Sequence, residues 1–148
     1  MVTRRAITLG FAMLTVAIAV AYLRDPPWLI TQTTGLRGWE QQHDTPRYRW
    51  SGGHASFFVP AAGPRTFDLP VSTTFDGRDD RPMMVTVTVD DEPAGRVVLT
   101  DAGWKRIRIT LPPPGTRKVR RIDIRTSVTR DDNHGVRVGG IEVMMTVS

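Results

Sequence analysis

Between residues 66 and 128 the chain repeats one pattern: short runs in which apolar and polar residues alternate with a period of two. Phe67, Leu69 and Val71 are interleaved with Asp68. Val85, Val87 and Val89 are interleaved with Thr86 and Thr88, and Ile107, Ile109 and Leu111 with Arg108 and Thr110. Successive side chains of a β-strand point to opposite faces, so this pattern predicts strands with one face in a core and the other outside. Ile122, Ile124 and Val128 continue the series against Arg121, Asp123 and Arg125. Turn residues punctuate it. Asp90-Asp91-Glu92-Pro93 predicts a hairpin between 85–89 and 95–100, and Pro112-Pro113-Pro114-Gly115 ends a strand because proline cannot donate to a ladder. The last run, Val136 to Val147, is interrupted by Gly139-Gly140, where a bulge is expected to shift the inward set to Ile141, Val143, Met145 and Val147. About seven or eight strands at this spacing, with no helical pattern among them, predict an all-β fold: an antiparallel two-sheet β-sandwich of jelly-roll type.

One segment obeys a different rule. Ile7 to Leu23 is an unbroken apolar run, preceded by Arg4 and Arg5 and followed by Arg24-Asp25-Pro26-Pro27. As a hydrophobic helix it would span roughly 25 Å, a little less than the hydrocarbon core of about 30 Å. A signal anchor is the expected reading, and the alternative is a signal peptide cut after the Ala19-Val20-Ala21 motif, at Ala21. In either case Arg4 and Arg5 stay on the cytoplasmic side and the rest is translocated. Pro26, Pro27, Gly35, Gly38 and Pro46 give residues 24–46 the look of a strand-poor stalk. The expected organisation is therefore anchor or signal at 1–23, lead-in at 24–46 and sandwich at 47–148.

Composition narrows the function. There is no cysteine, which removes disulfides, thiolate metal sites and thiol chemistry. Twenty basic residues face fifteen acidic ones, and two of the basic ones precede the apolar run, so the remainder is only weakly basic and no nucleic-acid partner is expected. Nearly all the basic residues are arginine, whose planar guanidinium pairs with carboxylates and stacks on aromatic rings.

Two clusters go beyond strand patterning: Gly38-Trp39-Glu40 with Arg47-Tyr48-Arg49-Trp50-Ser51-Gly52-Gly53-His54-Ala55-Ser56, and Asp131-Asp132-Asn133-His134-Gly135-Val136-Arg137-Val138-Gly139-Gly140-Ile141-Glu142. Together they resemble the galactose-binding-like jelly-roll modules of bacterial envelope proteins, often found beside polysaccharide-synthesis machinery. The resemblance spans roughly residues 35 to 148 and departs from the modules at His134, where they often carry arginine. It implies the jelly-roll fold and a bacterial envelope setting; with the apolar run, the expected location is the bacterial inner membrane, single pass, with the domain in the periplasm or outside.

Trp104, Arg106 and Arg108 share one strand face by the two-residue period, and a neighbouring strand at 120–128 would extend that face with Arg121 and Arg125. Rings stack on sugars and guanidinium binds anions, so these five residues are the candidate ligand-binding surface. The alternative is a solvated face with cross-strand Arg–Asp pairing. Trp28, just past the apolar run, suits an interfacial belt, and Trp50 is expected to plug one end of the core. No cofactor is expected. Structural calcium would need the carboxylates of 76–80 or 131–133, which read better as polar turns, and His43, His54 and His134 lack metal-ligand spacing. No nucleophile elbow, P-loop or dinucleotide turn is present. A hydrolase would need carboxylates such as Glu40, Glu92 and Glu142 to converge. The expected function is a non-catalytic, membrane-tethered sandwich binding a glycan or an envelope assembly partner. The alternatives are a structural subunit of a membrane complex and an unrecognised hydrolase.

Overall fold

A computed structural model describes residues 4–75, 80–130 and 133–141. Helix α1 (Arg4–Arg24) is followed by a 3-10 turn (Pro27–Thr31) and eight strands: β1 (Thr33–Glu40), β2 (Tyr48–Pro60), β3 (Thr66–Ser72), β4 (Met83–Val89), β5 (Glu92–Leu99), β6 (Lys105–Thr110), β7 (Val119–Thr126) and β8 (Arg137–Gly139). Every ladder is antiparallel, in the order β5-β4-β7-β2-β8-β3-β6, with β1 added to β2.

The path closes into a sandwich because β2 changes partner along its length. Tyr48–Trp50 pair with β8 and His54–Pro60 pair with β7, with Gly52-Gly53 between them. One layer is then β5-β4-β7 and the other β8-β3-β6, with β2 running from one into the other. Their far strands meet: a Cβ on Gly95 of β5 would lie only 2.6 Å from Ile107 Cγ2 of β6. A single core fills the interior with the alternating residues of both layers, among them Leu69, Val71, Val85, Val87, Ile107, Ile109, Ile122 and Ile124. The fold is the expected antiparallel β-sandwich of jelly-roll type behind one apolar helix.

The expected hairpin forms with a shorter turn, because Glu92 and Pro93 belong to β5 and only Asp90 and Asp91 lie between the strands. Asp90 and Asp91 take φ of 50° and 73°, the paired left-handed conformation of a two-residue hairpin turn, which aspartate tolerates better than most residues. The lead-in differs from expectation. Residues 24–46 are not strand-poor, because Thr33–Glu40 is β1, paired with β2 from Thr33–Phe57 to Glu40–Tyr48. Its alternation is hidden because all but Leu36 are exposed and the register slips twice. Gly35 marks one irregularity, with φ 69° and its Cα pressed so close to the His54 carbonyl that a Cβ would collide with it. Val143, Met145 and Val147 lie outside the described residues, and Ile141 is 37% exposed.

Helix α1 is 21 residues long, about 31 Å at 1.5 Å per residue, and apolar enough to cross a bilayer. Its described side chains are exposed throughout and pack on nothing in the sandwich. Its end is fastened to the domain. Asp25, only 7% exposed, accepts hydrogen bonds from Arg117 Nε at 2.7 Å and the Lys118 amide at 3.2 Å, and the Lys118 carbonyl in turn accepts from Ala61 N–H. The helix therefore joins the sandwich where β2 ends and β7 begins. The Tyr48 end of β2 is the remote end.

Candidate functional site: an aromatic and arginine face

At the remote end of β2 the register sets side chains in rows across one layer. Trp50 pairs with Arg137, and Arg137 pairs with Ser72; continuing the β3–β6 register one residue past Val71–Lys105 brings Trp104 beside Ser72. The next row is Tyr48, Gly139, Pro70 and Arg106, since Tyr48 pairs with Gly139 and Pro70 with Arg106. Directly paired residues share a face. Leu69, Val71 and Val138 belong to the core, so these rows occupy the outer face.

The side chains converge. Arg137 carries its guanidinium carbon 5.5 Å from the Tyr48 centroid, 5.7 Å from Trp50 and 5.5 Å from Trp104. Tyr48 is edge-on to Trp50 at 6.1 Å and tilted against Trp104 at 6.2 Å, and His134 lies over Trp50 at 4.6 Å. Each ring presents the negative face of its quadrupole to a cation. Glycine at 139 leaves room for this layer, since a Cβ there would crowd Pro70 at 3.1 Å and Trp104 at 3.5 Å.

Two loops hold the arrangement. Asp101 accepts from the Gly103 amide at 2.8 Å and from Lys105 Nζ at 3.2 Å, which organises the turn delivering Trp104 and holds its carboxyl below the usual range. Arg137 Nη2 reaches the carbonyls of Thr73 at 3.2 Å and Ala102 at 3.4 Å. On the other side Ser51 is completely buried and stitches in the 133–136 segment: its carbonyl accepts from Gly135 N–H, its amide donates to the Val136 carbonyl, and its Oγ accepts from Val136 N–H at 2.9 Å. Among the described residues, Tyr48 OH, Ser72 Oγ and Arg137 Nε on this face are buried with no hydrogen-bond partner.

The five candidate residues divide. Trp104, Arg106 and Arg108 do lie toward this face, but β6 and β7 are separated by β2, β8 and β3, so Arg121 and Arg125 do not extend it. The chain returns from β6 to β7 across the sandwich, which places 120–126 in the other layer. Arg108 forks onto Asp68 with Nε–Oδ1 at 3.0 Å and Nη2–Oδ2 at 3.2 Å; this raises the arginine further and holds the carboxyl low. Arg121 pairs with Asp123 at 2.8 Å and with Asp91. Arg125 stands opposite His54 and Thr86. For Arg108 the cross-strand Arg–Asp pairing is what forms, whereas Arg121 pairs within β7 and with the 90–91 turn.

Sequence reasoning missed Tyr48 and Arg137, and it misplaced Trp50. Trp50 is half-buried on the outer face and is not part of the core. The two-residue period from Arg137 to Gly139 and from Tyr48 to Trp50 was the available signal, but only the long-range pairing of β2 with β8 brings the four together.

A second polar cluster lies on the other layer. Asp123 accepts from Ser56 Oγ at 2.6 Å and His54 Nε2 at 3.1 Å on the same carboxylate oxygen, and from Arg121 on the other. Burial pushes this carboxyl up, but the three donors and the Arg121 charge outweigh it and hold it low. Ser56 donates to the carboxylate rather than to the histidine, so the three do not form a serine–histidine–acid relay. Glu40 and Glu92 stand at opposite ends of the strands, beside Tyr48 and Val89 respectively, and Glu142 lies outside the described residues. Among the described residues no group of three or more histidines and acids is placed to hold a metal. Most of the 76–80 and 131–133 candidates lie outside the described residues.

No protein-family model and no curated protein matches the chain. Among solved structures it is similar to a family two carbohydrate esterase from Clostridium thermocellum in complex with cellohexaose, at 9% identity and TM-score 0.46 over 75% of this chain and 30% of that one. It is also similar to the CBM51-2 and INT domains of Clostridium perfringens ZmpB, at 14% identity and TM-score 0.41 over 74% of this chain and 28% of that one. A third is the CBM36-1 domain of a multidomain xylanase from the hindgut metagenome of Trinervitermes trinervoides, at 13% identity and TM-score 0.39 over 76% of this chain and 100% of that domain. The chain thus spans less than a third of the length of the esterase and ZmpB chains. At these scores none of the three assigns a ligand here.

Proposed function

We propose that the chain is a non-catalytic, membrane-tethered β-sandwich of the cell envelope that binds a glycan on the outer face of β2, β8, β3 and β6. The observation that carries this reading is the placement of Trp50 and Trp104 on either side of Arg137, at the end of the sandwich remote from α1. Aromatic rings offer flat apolar surface to the C–H faces of sugars, and an arginine between them supplies directional donors. The tether is α1, and the Asp25–Arg117 bond at its end would hold the binding face away from the membrane.

The test is a glycan array probed with the full chain in detergent or nanodiscs. Binding lost in Trp104→Ala and Trp50→Ala but retained in Arg125→Ala supports the reading. Binding unaffected by Trp104→Ala combined with Arg106→Ala and Arg108→Ala removes this face. A stable protein partner that co-purifies with the chain, with no glycan retained, favours a structural subunit instead.

A further inference from the structure

Among the described residues Arg108 pairs with Asp68, Arg117 with Asp25, Arg120 with Asp90, and Arg121 with Asp123 and Asp91. Arg137 has no such partner among them. It is 8% exposed, and among the described residues its only hydrogen-bond acceptors are two backbone carbonyls, both taken by Nη2. Nε is sealed without an acceptor, and among the described residues Nη1 has no hydrogen-bond partner either. A buried positive charge is ordinarily balanced by a negative one, because removing it from water costs several kcal/mol, of the order found for buried ions generally. Three ring faces and two carbonyl dipoles offset part of that cost and add no counter-charge.

From this imbalance we infer that the ligand brings the missing charge: the face takes an acidic sugar whose ring carries a carboxylate, with the carboxylate at Arg137 and the ring against Trp50 or Trp104. This rests on the glycan-binding reading and narrows it. A single uncompensated cation matches a singly charged group.

The experiment measures equilibrium binding of the full chain in nanodiscs to polygalacturonate, polyglucuronate and polymannuronate, each beside its carboxyl-reduced neutral counterpart. At least one polyuronate is expected to bind tenfold or more tightly than its reduced form. Arg137→Met, which keeps the length and removes the charge, should erase that preference, and Arg137→Lys should restore part of it; a melting curve on each variant reports folding. A preference that survives Arg137→Met in a folded protein overturns the assignment to Arg137. Equal binding of acidic and reduced forms, still lost in Trp104→Ala, overturns the acidic ligand and leaves glycan binding standing. Binding of none of the six overturns the acidic-sugar assignment, while the glycan array decides the wider reading. Sulfated neutral glycans preferred over every polyuronate would overturn the carboxylate, and competition by polyglutamate at equal charge concentration would overturn the sugar.

Discussion

Trp50 stands directly opposite Arg137 in the β2–β8 ladder, with the guanidinium carbon 5.7 Å from the indole centroid. Because β8 lies between β2 and β3, that pair also sets the spacing to Trp104 on the far side. The contact serves the site more than the core. Replacing Arg137 by alanine removes two hydrogen bonds and three ring contacts, and is expected to cost about 2 kcal/mol in denaturant unfolding. Methionine keeps much of the packing and discharges the buried cation, so Arg137→Met should lie within about 1 kcal/mol of wild type. A methionine variant as unstable as the alanine one would show that the charge itself holds the face together.

Acid should loosen the sandwich in a defined window. Asp68 is held low by Arg108, and Asp123, although burial pushes it up, is held low overall by Ser56, His54 and Arg121. A carboxyl whose folded pKa is depressed contributes stability that is fully present above its unfolded value, near 4, and is lost as pH falls through the folded value. Melting temperature should therefore decline as pH drops below about 4, with little contribution from these two groups above pH 5. Asp123→Asn should weaken that dependence. An Asp123→Asn curve parallel to wild type down to pH 2 would assign the acid sensitivity elsewhere.

The junction between helix and domain is a discrete lock. Asp25→Ala leaves the Lys118 amide without its acceptor and frees Arg117, at an expected cost of about 1–2 kcal/mol. Limited proteolysis of reconstituted protein should show faster cleavage near residues 25–32 while the sandwich stays intact. Unchanged cleavage would mean that the 3-10 turn and β1 suffice to seat the helix.

How much of this was legible beforehand depended on sequence distance. Phe67, Leu69 and Val71, the three valines of β4 and the isoleucines of β6 declared their strands because each strand carries its own period. Trp104, Arg106 and Arg108 were placed on one face by the same local rule. What failed was every step that required knowing a neighbour. Arg121 and Arg125 were joined to β6 because the strands are consecutive, whereas three strands intervene. Arg137 stood only within a cluster carrying the resemblance, since its pairing with Trp50 spans most of the domain. β1 stayed invisible because an exposed strand added to an edge has no need of a buried face. The two clusters carrying the family resemblance do meet, through the Ser51 bonds to Gly135 and Val136.

Gly135 makes that meeting possible, since a Cβ there would run into the Gly52 carbonyl and lie 2.7 Å from Ser51 Oγ. Gly135→Ala should cost about 2 kcal/mol or more and displace His134 from Trp50. Loss of ligand binding out of proportion to the loss of stability is the expected signature. A variant with normal stability and unshifted His134 imidazole NMR signals would contradict it.

The most direct measurement is the affinity of the nanodisc-embedded chain for its best glycan from an envelope polysaccharide array, compared between wild type and Trp104→Ala. Trp104 packs on the face but lies outside the core cluster, so its loss should spare the fold. The account predicts a loss of tenfold or more, equivalent to about 1.4 kcal/mol, with Arg125→Ala unchanged. An affinity unaltered by Trp104→Ala, or one that falls instead with Arg125→Ala, would contradict it.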